Sequence, residues 1–391
     1  MGGQDDPEFT PDNPNRYLSE SDEMKLDFLT RLKETQKVIT ENRTKQIMFS
    51  QPLLCQNGNS VIFPRTINLI QGKTGVHKSR LAESMCACFI NRNKDYINPL
   101  GFESNATDNP VVCYIDTERN ITEQFPYAIQ QILKNAGYPI THIEKGFEYT
   151  SLLEFNRNER LDALIVYIED IRKKYGNKNI VVVLDVVSDC IINFNDSTES
   201  LKLIDFMNQT INHYNVTFIC VIHENPGSSE KARGHAGTEL SNKSSTVIQI
   251  GLADSPDKGS NELIKMTYLK CRGTRKHEPV YFRYSDENKR LELAREEEIK
   301  EAHNNRQQKA PVQAVCDMLG VALVHPLEKA MLMEELKKDF KCGERILEDR
   351  LTQIINDRME IKDIDKKTAY LQKLKDGRNI VYKLIYNKGE M

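Results

Sequence analysis

Residues 72–79 read Gly72-Lys73-Thr74-Gly75-Val76-His77-Lys78-Ser79. This octapeptide follows the phosphate-binding pattern G-x-x-x-x-G-K-[ST] except at its sixth position, where His77 replaces the second glycine. The apolar residues 66–70 before it predict a buried strand, and residues 80–90 after it predict a helix. Backbone N–H groups at the start of such a helix point at a phosphate, and the helix dipole favours negative charge there. The segment therefore predicts a binding site for a nucleoside triphosphate.

The composition bounds the class of protein. A chain of 391 residues predicts two or three domains. With 28% charged residues and a net charge of −3, no overall basic field indicates a polyanionic partner, so nucleic-acid binding would depend on local patches. The nine cysteines are scattered, and several lie in apolar runs, as buried thiols do in a reducing compartment. The apolar runs are too short to span a bilayer. We expect a soluble, cytoplasmic protein without a membrane partner.

Apolar runs alternate with helical patterns from about residue 66 to residue 250. This alternation predicts an α/β fold with a mostly parallel sheet, followed by strands that look antiparallel. The predicted strands are 111–115, 180–184, 216–222, 246–252, 264–269 and 280–284. The predicted helices are 121–136, 155–175 and 200–214.

The domain organisation follows from changes in composition. Residues 1–18 are polar and are predicted to be disordered, and residues 19–49 form a helical segment. Residues 50–292 make up the phosphate-loop domain, which opens with a hairpin at Asn57-Gly58. Residues 293–310 are a charged linker. Residues 311–391 show three helices and then a hairpin, the element order of a winged helix.

The phosphate loop predicts ATP and Mg²⁺ as ligands. Lys78 should reach the β- and γ-phosphates, and the Ser79 hydroxyl should bind Mg²⁺. His77 resists the positive φ that glycine adopts easily, so either the loop is reshaped or ATP turnover is slow. A protonated His77 imidazole could also donate a hydrogen bond to phosphate. The predicted nucleotide-binding residues are Gly72, Lys73, Thr74, Gly75, Val76, His77, Lys78, Ser79 and Arg80.

Three polar side chains follow other predicted strands. Asp185 ends a Val/Ile run and is the expected second metal ligand beside Ser79. Glu118 could orient the attacking water as a general base, although Asp116 or Thr117 in the same segment could simply cap the next helix. His223, at the tip of strand 216–222, is either a sensor of the γ-phosphate or an ordinary histidine at a strand end.

Taken in order, these motifs resemble the RecA-like ATPases of the hexameric replicative helicase group, above all the RepA-type helicases of plasmids and mobile elements. The resemblance covers residues 50 to 285. It is carried by GKTGVHKS (72–79), YIDTE (114–118), VVVLD (181–185), VIHE (221–224), RGHAGTELSNK (233–243) and YLKCRG (268–273).

The resemblance implies a role for each matching residue. Lys78 and Ser79 hold phosphate and Mg²⁺, Asp185 is the Walker B acid, and Glu118 is the base. His223 senses the γ-phosphate. Lys270 and Arg272 act in trans as an arginine finger on a neighbouring subunit's nucleotide, which requires an oligomer, expected to be a hexamer. Alternatively, Lys270 and Arg272 are a surface pair of cations at a strand end.

Two regions are candidates for contact with DNA. The loop 224–240 carries Lys231, Arg233 and His235, which either touch a phosphate backbone or are simply solvated. The loop 188–200 after Asp185 is usually the one lining the DNA channel, but here it contains acids and no Lys or Arg. In the C-terminal domain the hairpin residues Lys373, Lys375 and Arg378 suit DNA contact, with a protein partner as the alternative.

These predictions combine into two functional hypotheses. The first is a DNA-dependent ATPase of the helicase or translocase type that serves replication or mobilisation of a genetic element, with single-stranded DNA in a ring and ATP between subunits. The second is a nucleotide-gated DNA-binding or assembly protein with little hydrolysis. A small-molecule kinase is a weaker third hypothesis, because no lid for a phosphate acceptor is evident.

Overall fold

The computed structural model describes residues 20–93, 95–104, 109–225, 231–253, 263–300, 310–377 and 379–386. The chain divides into two compact units, Met1–Ser50 and Gln51–Met391. The predicted segment 1–18 lies outside the described residues. In the first unit, helix α1 (Glu20–Arg43) exposes half or more of most of its apolar side chains, among them Phe28 and Leu32.

The second unit contains every strand of the described chain. The strands before the C-terminal region are β1 (Leu54–Gln56), β2 (Asn59–Ile62), β3 (Ile67–Gly72), β4 (Phe102–Ser104), β5 (Val111–Asp116), β6 (Phe147–Ser151), β7 (Ile180–Asp185), β8 (Val216–His223), β9 (Thr246–Leu252), β10 (Ile264–Cys271), β11 (Val280–Ser285) and β12 (Arg290–Leu293). The helices among them are α2 (Lys78–Ile90), α3 (Gln124–Asn135), α4 (Arg160–Tyr175), α5 (Ser197–Tyr214) and α6 (Gly234–Lys243).

Nine of these strands form one sheet in the order β6-β5-β7-β8-β3-β9-β10-β11-β12. The first six are parallel neighbours, and β9 to β12 pair in antiparallel fashion. The predicted α/β fold with a mostly parallel sheet is therefore confirmed. All six residues of β7 are buried because the sheet is covered on both faces: Val181 and Val183 pack on one side, Val182 and Leu184 on the other.

The hairpin before the sheet also matches its prediction. Strands β1 and β2 are joined by Asn57 and Gly58, whose φ angles are 48° and 75°. Two consecutive positive φ angles match the right-handed twist of the flanking strands, and Asn-Gly is the dipeptide that adopts them most readily. β4 adds a third strand to this small sheet.

Several elements differ from the prediction. β4, β6 and β12 were not predicted, because each is a short peripheral strand with few buried side chains. The predicted helix 155–175 begins only at Arg160, since residues 155–159 form turns held by backbone and Glu159 side-chain hydrogen bonds. The predicted loop 224–240 contains the start of α6, whose two glycines obscure its helical pattern.

The C-terminal region contains three helices and a four-stranded antiparallel sheet. The helices are α7 (Val312–Ala322), α8 (Lys329–Phe340) and α9 (Glu344–Asn356), and the strands are β13 (Leu327–Glu328), β14 (Ile361–Lys362), β15 (Thr368–Asp376) and β16 (Asn379–Tyr386). Leu319, Leu336 and Leu347 are fully buried in a core made of residues from this region alone. The predicted hairpin is present as β15–β16, and the short strands β13 and β14 flank it. The winged-helix assignment remains a prediction.

Every helix in the described parts of the chain is too short or too polar to cross a membrane.

Candidate nucleotide site

The phosphate loop lies at the carboxyl edge of the parallel sheet, between β3 and α2. Gly72 must lack a side chain, because a Cβ there would lie 2.3 Å from the carbonyl oxygen of Ile250 on β9. Gly75 has a φ of +81°. The first helical hydrogen bond of α2 runs from the Leu81 amide to His77 O (3.0 Å), so the preceding amides have no acceptor within the helix. They form the anion-binding helix start that the sequence predicts.

His77 takes the backbone conformation that glycine would provide at this position. Its φ and ψ are 65° and 27°, in the left-handed region. Its imidazole stacks on Tyr284 of β11, with ring centroids 5.1 Å apart and planes 9° from parallel. Stacked aromatic rings contribute about 0.5–1.5 kcal/mol, which is comparable to the cost of about 1–2 kcal/mol for a left-handed residue with a side chain. The Tyr284 contact therefore offsets the strain of placing a histidine in the loop.

We expect His77→Gly to leave the melting temperature within a few degrees of the wild type, because relief of strain and loss of stacking nearly cancel. His77→Val should be destabilised by about 1–3 kcal/mol, since a β-branched residue resists positive φ and cannot stack. Thermal unfolding and binding of a fluorescent ADP would measure both effects. If the valine variant were as stable as the glycine variant, the left-handed conformation would not govern this position.

Lys78 is buried in the loop that it closes. Its side chain is only 5% exposed, and Nζ donates to Lys73 O (2.7 Å) and contacts Nδ1 of His223 (3.2 Å). Burial lowers the pKa of Lys78, while Asp185 and Glu118 oppose that shift. Because an ammonium only donates, Nδ1 of His223 is the acceptor, which assigns the imidazole proton to Nε2.

His223 connects the phosphate loop with Glu118. It pairs with Gly72 in the register of β3 and β8, and Nδ1 also lies 3.5 Å from the Thr74 hydroxyl. On its other side, Nε2 lies 3.9 Å from a carboxylate oxygen of Glu118. His223 lowers the pKa of Glu118, and Lys78 contributes in the same direction. The Glu118 side chain is 49% exposed, so its carboxylate is ionised and open to water.

Ser79 and Asp185 are adjacent at the other side of the loop. The Ser79 hydroxyl donates to Asp185 Oδ1 over 3.1 Å. Asp185 ends β7 and is 2% exposed. A hydroxyl and a carboxylate are hard oxygen donors, and Mg²⁺ in phosphoryl-transfer sites is typically held by one or two such groups together with the substrate phosphates. The residues present therefore fit the predicted metal.

Arg119 is a part of the site that the sequence analysis missed. Its guanidinium donates to Glu83 Oε1 (2.9 Å), Asp116 Oδ2 (2.6 Å) and Asp185 Oδ2 (2.6 Å). Arg119 therefore holds the carboxylate that is predicted to bind the metal. The sequence feature that could have indicated Arg119 is its position directly after Glu118, just beyond the end of β5, which lies next to β7 in the sheet. Its partners on α2 and β7 are too distant in sequence for a local pattern to reveal them.

Asp116 and Thr117 do not cap α3, so the capping role considered from the sequence is wrong, and the catalytic role of Glu118 stays a prediction. The Asp116 carboxylate accepts from the amides of Glu118 and Arg119, so it closes a turn. The Thr117 hydroxyl bonds to backbone atoms of Val186 on the neighbouring segment. The amides at the start of α3 are bonded by the Asn120 side chain instead.

Lys270 and Arg272 lie away from the phosphate loop of their own chain. Lys270 donates to the carbonyls of Ser241 and Asn242, and Arg272 donates to that of Asn242 (2.8 Å in each case). They thus neutralise the carboxyl end of α6. Through β9, Lys270 is level with Leu69, which lies about 10 Å along β3 from Gly72. Arg272 lies two residues beyond Lys270, farther still from Gly72. Within one chain the structure does not bring them to the site.

The candidate DNA-contact residues lie in two places. Lys231, Arg233 and His235 are exposed around the start of α6, and Lys373 and Lys375 are exposed on β15. Arg378 lies outside the described residues.

The segment after β8 is tied to the segment after β7. The Arg233 guanidinium lies 4.6 Å from the centre of the Phe194 ring, and the Ala236 amide donates to Phe194 O (3.0 Å). A Cβ on Gly234 would be 2.6 Å from that same carbonyl oxygen. The Arg233 amide in turn donates to His223 O (2.8 Å). A continuous set of contacts therefore leads from the nucleotide site to both segments.

Two acids in the segment after β7 have structural partners. Asp189 pairs with Arg157 (3.0 Å), and burial raises the pKa of Asp189. Asp196 caps α5 by accepting from the Glu199 amide (2.9 Å). These acids stabilise the segment in which the sequence offers no Lys or Arg for DNA.

Comparisons with known proteins identify no family for this chain. No protein-family model matches the chain, and no curated protein matches it. Among solved structures, the chain is similar to the crystal structure of the RadB recombinase, with 15% sequence identity, a TM-score of 0.41, and coverage of 59% of this chain and 92% of that chain.

The order of strands, with the phosphate-loop strand β3 inside a mostly parallel sheet, is consistent with a RecA-like core. The narrower grouping with RepA-type helicases remains a prediction.

Proposed function

We propose that this protein binds and hydrolyses ATP with Mg²⁺, and that it acts as a DNA-dependent helicase or translocase in replication or mobilisation of a genetic element. One observation supports this above the others. Five side chains that the sequence marked separately meet at one edge of the sheet: Lys78, Ser79, Glu118, Asp185 and His223. The carboxyl edge of a parallel sheet is where such folds bind ligands.

The arrangement supports in-line hydrolysis of the terminal phosphoryl group. The amides of the loop and Lys78 hold the β- and γ-phosphates, and Ser79 with Asp185 would hold Mg²⁺, which neutralises charge on those phosphates when bound. Glu118, ionised and open to water, accepts a proton as the water oxygen bonds to the γ-phosphorus. The bond from that phosphorus to the bridging oxygen breaks, which releases ADP and phosphate.

His223 suits the role of a γ-phosphate sensor. It contacts Lys78 and faces Glu118, and its own carbonyl bonds to Arg233 in the segment proposed to contact DNA. A change of contact at the imidazole on loss of the γ-phosphate would therefore reach Lys231, Arg233 and His235. This link supports coupling between turnover and a DNA strand.

We further propose that Lys270 and Arg272 complete the site of a neighbouring subunit in a ring, expected to be a hexamer. Their distance from the phosphate loop of their own chain supports action in trans. In this arrangement each ATP lies between two subunits. The guanidinium would then stabilise charge on the transferring phosphoryl group.

One observation favours the second candidate function, a nucleotide-gated DNA-binding or assembly protein with weak hydrolysis. Asp185 Oδ2 is already bonded to Arg119, which neutralises the carboxylate that would otherwise attract Mg²⁺. In that case the C-terminal region, with Lys373 and Lys375, would recognise the DNA. Comparison of ATP turnover with and without single-stranded DNA separates the two functions, since only the first predicts stimulation.

A mixing experiment tests the shared site. Lys78→Ala and Arg272→Ala should each be inactive in ATP hydrolysis, while a 1:1 mixture should recover roughly a quarter of wild-type turnover. If the two variants mix at random, about a quarter of the interfaces combine the intact phosphate loop of an Arg272→Ala subunit with the intact Arg272 of a Lys78→Ala subunit. Size-exclusion chromatography with light scattering, with and without a non-hydrolysable ATP analogue, measures assembly. A mixture that assembles but stays inactive would exclude a finger acting in trans.

A further inference from the structure

We propose that Arg119 is a positioning residue that fixes both the metal-site carboxylate of Asp185 and the turn that carries Glu118. The proposal rests on the proposed function, because it assigns Arg119 to the same site. Arg119 follows Glu118 directly, yet its side chain turns inward and is only 20% exposed. Its side chain contacts Glu83, Tyr114, Asp116, Phe125 and Asp185, which all lie outside the phosphate loop 72–79.

The guanidinium joins three separate elements. NH1 donates to Glu83 on α2, Nε to Asp116 on β5, and NH2 to Asp185 on β7. The planar fork of a guanidinium holds its five N–H donors in a fixed geometry, which suits three carboxylates in three directions, whereas the ammonium of a lysine is a compact charge on a flexible stem. The carbon of the guanidinium also lies 5.5 Å from the centre of the Tyr114 ring and 5.9 Å from that of Phe125. This packing restrains the orientation of the fork.

The first consequence concerns Asp185. Its Oδ2 accepts from Arg119 (2.6 Å) and from the Tyr114 hydroxyl (2.7 Å), and Arg119 also donates to that hydroxyl. With Oδ2 occupied, Oδ1 is the oxygen that faces Ser79. Arg119 therefore fixes which carboxylate oxygen is presented beside the Ser79 hydroxyl.

The second consequence concerns Glu118. One oxygen of Asp116 accepts from the amides of Glu118 (3.0 Å) and Arg119 (2.7 Å), and the other accepts from Arg119 Nε. The backbone and the side chain of Arg119 thus bind both oxygens of the same carboxylate. This closes the turn and sets the direction in which the Glu118 side chain leaves it, toward His223. A misplacement of about 1 Å at a reacting group can cost about 100-fold in rate.

The buried charges make a single substitution at Arg119 risky for folding. Loss of the guanidinium leaves Glu83, Asp116 and Asp185 without a shared partner, and an unpaired buried charge is strongly destabilising. The double substitution Arg119→Gln with Glu83→Gln removes one charge of each sign and keeps hydrogen-bonding groups at both positions. Arg119→Lys keeps the charge but not the fork. Together the two variants separate charge from geometry.

The test combines steady-state ATPase kinetics with binding of a fluorescent ADP, measured in excess EDTA and in Mg²⁺. For both variants we expect kcat to fall about 100-fold. ADP affinity in EDTA should be unchanged, because Lys78 and the loop amides remain. The tightening of ADP binding by Mg²⁺ in the wild type should be lost. Arg92→Gln, which breaks the Arg92–Glu144 pair beyond the far end of α2, is the matched control and should behave as wild type.

The outcomes are distinct. Folded variants with wild-type kcat and a wild-type response of ADP binding to Mg²⁺ would overturn the proposal. An equal loss of ADP affinity with and without Mg²⁺ would also overturn it, because that result indicates a general collapse of the pocket. Wild-type protein that binds no ADP at all would instead overturn the proposed function. If wild-type protein binds ADP but hydrolyses ATP slowly, the Mg²⁺ response alone decides the role of Arg119.

Discussion

Replacing Lys78 with alanine should lower ATP turnover about 100- to 1,000-fold and should weaken ATP binding. The ammonium is held at the base of the loop by Lys73 O and His223, so its charge is fixed where the phosphates are expected before they arrive. Preorganised charge in a desolvated position typically contributes about 3–4 kcal/mol to a transition state. Release of phosphate from ATP and titration with a fluorescent ADP measure the two effects.

The control for Lys78→Ala is Lys134→Ala, which removes an exposed lysine from the last turn of α3. The control should keep wild-type turnover. Circular dichroism should show that the Lys78 variant is folded, because a lost hydrogen bond costs only about 0.5–1.5 kcal/mol and the Thr74 hydroxyl still lies 3.5 Å from His223 Nδ1. A folded Lys78 variant with undiminished turnover would contradict the assignment of residues 72–79 as the phosphate loop.

Glu118→Gln should separate binding from chemistry. Glutamine keeps the shape of the side chain and can still bond to His223, but it cannot accept a proton from water, so we expect turnover to fall about 100- to 10,000-fold. ATP affinity should stay within a few-fold of the wild type, because Glu118 lies beside the loop and is half exposed. Single-turnover hydrolysis and ATP binding in the same preparation give both quantities.

Glu123→Gln is the matched control for Glu118→Gln, because it makes the same change at an exposed position just before α3 and should be silent. If Glu118→Gln hydrolysed ATP at the wild-type rate, the base would have to be another group. In that case the lowered pKa of Glu118 would reflect its contact with His223 and the nearby charge of Lys78 without a catalytic role.

The site could be predicted from the sequence to the extent that each residue stands at the end of a recognisable strand. Glu118, Asp185 and His223 all follow apolar runs, and in a parallel sheet such ends meet at one edge. The pattern does not give the distances, the tautomer of His223 or the conformation of His77. The stacking of His77 on Tyr284 joins residues about 200 positions apart in the sequence, and no local pattern indicates it.

The differences between the sequence-based predictions and the structure at Arg119 and α6 have physical causes. Arg119 was overlooked because its function depends on three carboxylates from α2, β5 and β7 that only the folded sheet brings together. The sequence pattern predicts a loop across α6 because Gly234 and Gly237 lower its helical propensity. The fold needs a residue without a side chain at 234, where a Cβ would lie 2.6 Å from Phe194 O. The bonding of Lys270 and Arg272 to the end of α6 could not be predicted once that helix was missed.

Phe194 contacts the start of α6, so the surface segment after β7 and the surface segment after β8 are mechanically coupled. At Gly234 a Cβ would lie 2.6 Å from Phe194 O and 2.7 Å from side-chain atoms of Phe194 and Asn195, so the two segments are in close contact. Because the Arg233 amide donates to His223 O, a displacement of His223 by a fraction of an ångström would be passed to both segments. If one segment makes the proposed contact with DNA, its movement would therefore be transmitted to the other segment.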